Sequence, residues 1–404
     1  MATRSEAPQQ GWRRPEILLY IMAGAVPLSF ATWQALLNNF AIERAAFTGA
    51  EIGILQSLRE VPGFLAFAVV FLLLLIREQR LALGSLLLLG LGTAVTGFFP
   101  SVVGLYVTTV AMSLGYHYYE TLQTSLSLQW LARDRAPEVL GRIIAVGSFT
   151  SIITFALIWL ASDLAGLDYA AVYLLGGGIT ALVAIWCWFA FPTYPEEVTQ
   201  HKTMILRRRY WLYYALTFMS GARRQIFIVF AGFLMVEKFG FDVGEIALLF
   251  LLNAAINIWL APRVGRLIHR LGERKALVFE YLGLIGVFTA YAFVEDAALA
   301  AGLYVVDHLF FALAIAIKTY FQKIADPKDI AATASVGFTI NHIAAVVIPV
   351  LFGYIWLHSP PAVFLAGTAM AVVSLLLSLN VPPRPCRGNE AVVGRISEVA
   401  AAAE

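Results

Sequence analysis

The chain has 404 residues, of which 60% are hydrophobic and 13% are charged, and its mean hydropathy is +0.77. Soluble domains carry about 25% charged residues, so this composition excludes an ordinary soluble protein and indicates a polytopic membrane protein. The formal net charge of +2 gives no reason to expect a nucleic-acid partner. The two cysteines, Cys187 in an apolar run and Cys386 near the C-terminus, predict neither a disulfide framework nor a metal–thiolate site. The polar N-terminal stretch predicts no cleavable signal peptide.

Apolar runs predict twelve membrane-spanning helices, because about 20 residues of helix cross the hydrocarbon core of a bilayer. Six of them precede the longest polar connector, at 17–41, 51–76, 81–100, 102–130, 139–161 and 170–191. Six follow it, at 210–236, 244–262, 276–294, 298–322, 332–357 and 362–381. The predicted organisation is an N-terminal tail (1–16), a six-helix bundle (17–191), a linker (192–209), a second six-helix bundle (210–381) and a C-terminal tail (382–404).

The distribution of basic residues predicts which side of the membrane each connection faces. With the N-terminus in the cytoplasm, 22 of the 28 lysines and arginines fall in cytoplasmic segments, and only Arg44 and Lys238 fall outside. Cytoplasmic loops of membrane proteins are enriched in lysine and arginine. The count therefore predicts that both termini are cytoplasmic. The remaining four basic residues lie inside predicted helices: Arg59, Arg223, Arg224 and Lys318.

The two halves of the chain repeat each other weakly. Ala50-Glu51-Ile52 matches Gly244-Glu245-Ile246 at an offset of 194 residues, and Val146-Gly147 matches Val336-Gly337 at an offset of 190. With six helices per half, both halves have the same orientation in the membrane. The pattern therefore predicts a parallel repeat about an axis along the membrane normal.

The connection between predicted helices 8 and 9 carries the clearest motif, Gly265-Arg266-Leu267-Ile268-His269-Arg270-Leu271-Gly272-Glu273-Arg274-Lys275. It resembles the G-x-L-x-D-R-x-G-x-R/K loop of the major facilitator superfamily, with His269 in the place of the usual acid. The resemblance implies that family's fold of twelve helices and transport by alternating access. It also implies a gating role for Gly265, His269, Arg270, Gly272 and Arg274, although His269 changes the pairing of that loop.

Two adjacent arginines, Arg223 and Arg224, lie near the middle of predicted helix 7. A charge at the centre of a bilayer costs about 2.5–3.5 kcal/mol even on the translocon scale, so the pair needs a wet cavity, acidic partners or an anionic ligand. Adjacent helix positions are about 100° apart, and only one of the two arginines is expected to face a cavity fully.

The resemblance implies that helices 1, 4, 7 and 10 line the transport path, and each carries polar residues. Predicted solute-binding residues are Arg223, Arg224, Gln225, Gln34, Asn38, His117, Tyr118 and Lys318. Glu120 and Asp307 are predicted to couple protons, and Arg59 with Glu60 to form an ion pair at an outside gate. Asp307 and Lys318 are eleven residues apart, a spacing that puts them on one helical stripe. Glu280 is expected to be structural.

These residues favour a secondary transporter for a small anionic or carboxylate-bearing solute, with proton coupling, in a bacterial inner membrane. The expected partners are that solute, protons and the lipid bilayer, for a monomer without a cofactor. Beyond their first turns the spans hold four basic and four acidic residues, so export of organic cations, drugs or a metal stays open. His117, Glu120, Asp307 and His308 are possible metal donors, but without tight ligand spacing. A transporter-like receptor is a further alternative, and intramembrane protease and ATP-binding motifs are missing from the sequence.

Overall fold

The computed structural model describes residues 11–65, 68–130, 136–194, 206–326 and 330–394. Within these ranges the secondary structure is helical, apart from one isolated antiparallel β-bridge between Cys386 and Asn389. Nine helices of the described residues are long and apolar enough to cross a membrane. The protein is therefore an all-helical, multi-pass integral membrane protein, as the composition predicts.

The described residues of the first half of the chain form six long helices. They are α1 (Pro15–Ala45), α2 (Gly49–Phe64, followed by the short helix Val69–Leu72), α3 (Glu78–Thr96), α4 (Val102–Trp130), α5 (Ala136–Trp159, extended by the π-turn Leu160–Leu164) and α6 (Tyr169–Ala190). Local signals set several of the starts. Pro15 occupies the first turn of α1, where its missing N–H costs nothing. The Asp168 side chain caps α6 by accepting from the Ala171 N–H at 2.8 Å.

Where the structure describes the second half, it too has six long helices. They are α7 (Trp211–Ile226, the π-turn Phe227–Ala231 and Gly232–Phe239), α8 (Val243–Leu271), α9 (Glu273–Phe293), α10 (Ala297–Phe311, the 3₁₀ turn Ala312–Ala314 and Ile315–Ile324), α11 (Ile330–Trp356) and α12 (Pro360–Leu379). Interruptions thus fall in α7 and α10, two of the helices that carry buried charges. Mid-helix turns of this kind often mark functional positions.

The chain forms two compact units that do not coincide with its two halves. The first unit contains Met1–Ala46, Val61–Thr199 and Val243–Leu251, and the second contains Phe47–Glu60, Gln200–Asp242 and Leu252–Glu404. Each unit thus includes the first turns of one helix from the other half. These two exchanged segments are the ones that carry the repeated Glu51 and Glu245 motifs.

Glycines bring helix backbones into contact in the first unit. A Cβ added to Gly90 on α3 would lie 2.6 Å from the backbone N of Ala181 on α6, and Gly177 of α6 faces Ala94 of α3 as closely. Gly176 packs against Thr32 of α1, whereas nothing lies within 4 Å of a Cβ at Gly178. The glycine run in α6 is therefore a packing surface at two of its three positions.

Glycines play the same part in the second unit, where α2 crosses α11. The position that a Cβ on Gly53 would take is occupied by the backbone carbonyl of Pro349, and Gly49 faces the indole of Trp356. Close approach at these glycines attaches the first turns of α2 to α11 within this unit.

The α8–α9 connection is shorter than the sequence predicts. Helix α8 continues to Leu271 rather than ending near residue 262, because Val264 and Ile268 form a buried apolar stripe beneath the exposed Arg263 and Arg270. The turn is Gly272 alone, at φ 79° and ψ 158°, a conformation essentially restricted to glycine. Arg274 is half-buried in the first turn of α9. The side-chain placements at Gly265 and His269 lie outside the described residues.

The segment after α12 folds back on the second unit, although the sequence predicts only a tail there. The Tyr320 hydroxyl donates to the carbonyl of Glu390, and the Trp211 indole N–H donates to the carbonyl of Gly394 at 3.1 Å. Arg387 pairs with Asp326 at 2.9 Å. The segment 380–394 therefore connects the start of α7, the end of α10 and the end of α12.

Candidate functional site

The second unit encloses a charged group at the centre of α7. Arg223, which is fully buried, donates from Nη2 to Oε1 of the fully buried Glu280 on α9 at 3.3 Å. Its guanidinium lies 4.7 Å from the ring centroid of Tyr281 and 5.8 Å from that of Phe311. Ion pairing and cation–π contacts therefore stabilise an arginine that would otherwise be costly in a membrane.

Asp307 on α10 adds a second carboxylate to this group. Its side chain is 1% exposed and lies in electrostatic range of both Arg223 and Glu280. Among the described residues neither Oδ1 nor Oδ2 of Asp307 has a hydrogen-bond donor, and Oε2 of Glu280 has none either. Buried carboxylate oxygens without donors are uncommon, so this group is a candidate for functional chemistry.

The charges of this group do not balance. One arginine faces two carboxylates, which leaves a net charge of −1 in a buried space unless one carboxyl group is protonated. Burial of an uncompensated charge costs several kcal/mol, so this imbalance marks the group as a candidate for functional chemistry rather than for packing alone. Arg223 beside Asp307 also disfavours a divalent metal at this carboxylate, because two cations would then compete for it.

Arg224 projects from a different side of α7 than Arg223, and its side chain is exposed. It shares a face with Thr217 and Ser220, both half-buried, at helical spacings of seven and four residues. A polar stripe that ends at an arginine about 20 Å along a spanning helix from Trp211 indicates contact with water rather than with lipid. The structure thus distinguishes the two arginines: Arg223 lies inside the unit and Arg224 on its surface.

The 3₁₀ turn in α10 separates Asp307 from Lys318, so the prediction that they share a stripe is wrong. Asp307 is buried and Lys318 is exposed. A 3₁₀ turn advances about 120° per residue instead of 100°, and three such residues shift the phase of the helix by about 60°. His308, next to Asp307, is half-buried and lies 3.3 Å from Asn253 Nδ2 of α8 and 3.1 Å from the Tyr304 carbonyl through its Nδ1.

The first unit carries a separate polar group on α4. Glu120 has 51% of its side chain exposed, and one of its carboxylate oxygens lies 3.9 Å from Nδ1 of the buried His117. An aromatic surface lies beside them, where Phe30 of α1 stacks on Tyr116 at a centroid distance of 4.5 Å and on Trp33 at 6.2 Å. Exposed acid, imidazole and aromatic rings together form a surface that suits a polar organic solute.

The other predicted site residues occupy varied environments. Gln34 and Asn38 of α1 and Tyr118 of α4 are half-buried, and Gln225 is buried with no partner for its Oε1 among the described residues. Arg59 and Glu60 pair with each other in the second unit, and Gln56 accepts from the Arg59 Nε–H at 2.8 Å. His342 of α11 lies 3.8 Å from Glu60. This buried group sits eleven residues into α2, about 17 Å from Gly49 along the axis.

Sequence reasoning missed Glu280 as the partner of Arg223. The equal number of acids and bases in the spans indicates that ion pairs exist. This equality does not indicate which helices meet, because the contact between α7 and α9 depends on tertiary packing. Charged and polar groups buried among the spanning helices of a multi-pass protein are typical of membrane transport proteins.

Comparison with known proteins identifies the family. The Major Facilitator Superfamily model matches residues 17–349 and 216–400, and the chain belongs to this superfamily of transporters. It is a transporter and not an enzyme. No curated protein matches the chain.

Solved transporters share the fold at low sequence identity. The nucleoside transporter NupG superimposes with a TM-score of 0.72 at 15% identity, covering 90% of this chain and 98% of its own. A bacterial homolog of the human lysosomal transporter Spinster, solved in an inward-facing and unoccupied conformation, has a TM-score of 0.71 at 12% identity, covering 90% of this chain and 95% of its own. At these identities the likeness establishes the fold alone.

Proposed function

We propose that this protein is a proton-coupled secondary transporter for a small anionic or carboxylate-bearing solute, working by alternating access. We infer twelve spans with both termini in the cytoplasm of a bacterial inner membrane, a topology supported by the 22-to-2 distribution of basic residues. The observation that carries the solute class is Arg224, an exposed arginine at mid-span on a polar helical face. An arginine there binds a carboxylate or phosphate through two parallel hydrogen bonds.

Removal of the Arg224 charge tests the solute class. Uptake of a candidate anion into proteoliposomes is expected to fall about tenfold or more in Arg224→Gln, because a hydrogen bond to a charged group contributes about 1.5–3 kcal/mol. Arg384→Gln removes an exposed arginine outside the spans and is the matched control, with uptake unchanged. Equal uptake by wild type and Arg224→Gln would contradict the assignment. The first solutes to screen are organic anions and nucleosides, the latter because NupG is a nucleoside transporter.

Two carboxyl groups are proposed to carry the proton, Glu120 in the first unit and Asp307 in the second. With an imposed pH gradient, the wild type is expected to accumulate the solute above its external concentration. Glu120→Gln or Asp307→Asn is expected to abolish accumulation while solute exchange at equal concentrations continues, because a neutral side chain cannot bind and release a proton. Wild-type accumulation that is indifferent to the pH gradient would refute the coupling.

A cationic solute is the second candidate, and the exposure of Glu120 favours it. A carboxylate with half of its side chain exposed beside aromatic rings also suits an organic cation. The same two variants separate the candidates. A cation transporter is expected to lose even exchange at equal concentrations in Glu120→Gln and to keep it in Arg224→Gln. An anion transporter is expected to keep this exchange in Glu120→Gln and to lose it in Arg224→Gln.

A further inference from the structure

An apolar groove lies between α3 and α6 in the first unit, and its lining includes no residue of the polar group on α4. Its volume is about 230 Å³, and its lining consists of Leu83, Leu87, Ala184, Ile185, Trp188 and Phe189. Pockets for drug-sized solutes usually measure about 300–1,000 Å³, so this groove suits a narrower occupant. Phe189 is 82% exposed, and the groove is therefore open along the side of the helix pair.

The groove follows from the way α3 and α6 cross. The two backbones touch at Gly90 and Gly177, where neither helix has a side chain to separate them. The residues that line the groove lie near the start of α3 and the end of α6, beyond these glycines. Close contact at the glycines and bulky side chains such as Trp188 beyond them leave an apolar channel between the two helices. Such a channel fits an extended hydrocarbon chain.

Arg80 lies at the mouth of this channel, one turn before Leu83. It donates from Nη1 to the carbonyl of Trp188 at 2.8 Å, and its guanidinium lies 4.5 Å from the centroid of the Trp188 ring. Stacking and hydrogen bonding hold the guanidinium in place. Among the described residues no other acceptor binds the remaining N–H groups of the Arg80 guanidinium. The head of the groove is therefore a fixed positive charge with free donors.

Aromatic residues surround the same end of α6. Trp12 stacks on Trp186 at a centroid distance of 5.7 Å and meets Phe191 edge-on at 5.2 Å. The Arg13 guanidinium lies 5.4 Å from the Trp12 ring. Tryptophans are enriched at the level of lipid headgroups, and the cluster therefore marks a membrane–water interface.

We propose that the groove and Arg80 bind one anionic phospholipid. An acyl chain lies between α3 and α6, and the phosphate oxygens accept from the free N–H donors of Arg80. A basic residue at the end of an apolar cleft between spanning helices matches the two chemistries of such a lipid. The assignment to the cytoplasmic leaflet rests on the proposed topology, but the binding itself does not.

Lipid titration of the purified full-length chain, read by native mass spectrometry, tests the site. The probes are phosphatidylglycerol and phosphatidylcholine with identical acyl chains. Wild type is expected to bind one phosphatidylglycerol more tightly than phosphatidylcholine. Arg80→Gln is expected to weaken phosphatidylglycerol binding roughly fivefold, since one basic residue near a membrane contributes about that factor. The loss for phosphatidylcholine is expected to be smaller, because its choline cation offsets the attraction between its phosphate and Arg80. Leu87→Trp, which fills the channel, is expected to weaken both lipids.

Matched variants keep the test decisive. Arg142→Gln removes an exposed arginine of the same unit. Leu182→Trp adds a tryptophan at an exposed position of α6 outside the groove. Both variants are expected to bind phosphatidylglycerol as tightly as the wild type. If Leu87→Trp does not fold, Ile185→Trp fills the groove from a more exposed position. Equal phosphatidylglycerol binding by wild type and Arg80→Gln would overturn the proposal, as would an equal loss in Arg142→Gln. Unaltered binding in the groove-filling variants would overturn it as well.

Discussion

Replacing Arg223 by leucine is expected to lower the free energy of unfolding by about 3–5 kcal/mol, because the change leaves Glu280 and Asp307 buried without their cation. Thermal unfolding of the purified protein in detergent measures the effect. Arg223→Lys keeps the charge but loses the planar stacking on Tyr281, and its loss is expected to be intermediate.

The neighbouring residue supplies the control. Arg224→Leu makes the same chemical change on the exposed side of α7, and its effect on stability is expected to stay within about 0.5 kcal/mol. The double variant Arg223→Leu with Glu280→Gln is expected to recover part of the loss, since it removes one of the two unbalanced charges. Equal melting temperatures for Arg223→Leu and Arg224→Leu would contradict the buried group described here.

Adjacent glycines of α6 are expected to differ sharply in their tolerance of a side chain. Gly177→Leu places its Cβ against the backbone of Ala94 and Gly90, and is expected to cost about 3 kcal/mol or more because backbone atoms cannot move aside. Gly178→Leu meets nothing within 4 Å and is expected to be close to neutral. The yield of folded protein after size-exclusion chromatography and the unfolding temperature measure the difference. Similar losses in both variants would contradict the assignment of the requirement to backbone contact at Gly177, because leucine favours a helix more than glycine does at either position.

The spanning helices can be predicted from sequence because their signal is local. A run of apolar residues of the right length must be a helix in lipid, since every backbone polar group has to be satisfied within the segment. Gly177 illustrates how far this reasoning extends: its position in a span predicts close packing, and the contact with α3 confirms it. The sequence does not tell Gly177 from Gly178, because that difference depends on which face of α6 meets α3.

The charged residues show where sequence reasoning ends. Arg223 and Arg224 are the same residue type on the same helix. They differ only in the side of α7 from which they project, and the helices packed against α7 determine which side is buried. The separation of Asp307 from Lys318 depends on a three-residue 3₁₀ turn, Ala312–Ala314, that has no glycine or proline to announce it. The roles of these residues in binding and coupling stay predictions, and the transport experiments above address them.

The folded C-terminal segment has a consequence for biosynthesis. Tyr320 of α10 and Trp211 of α7 donate hydrogen bonds to Glu390 and Gly394, which are synthesised 70 and 183 residues after them. Domains generally fold from the N-terminus during synthesis. The start of α7 and the end of α10 therefore enter the bilayer before the acceptors of these two donors have been translated.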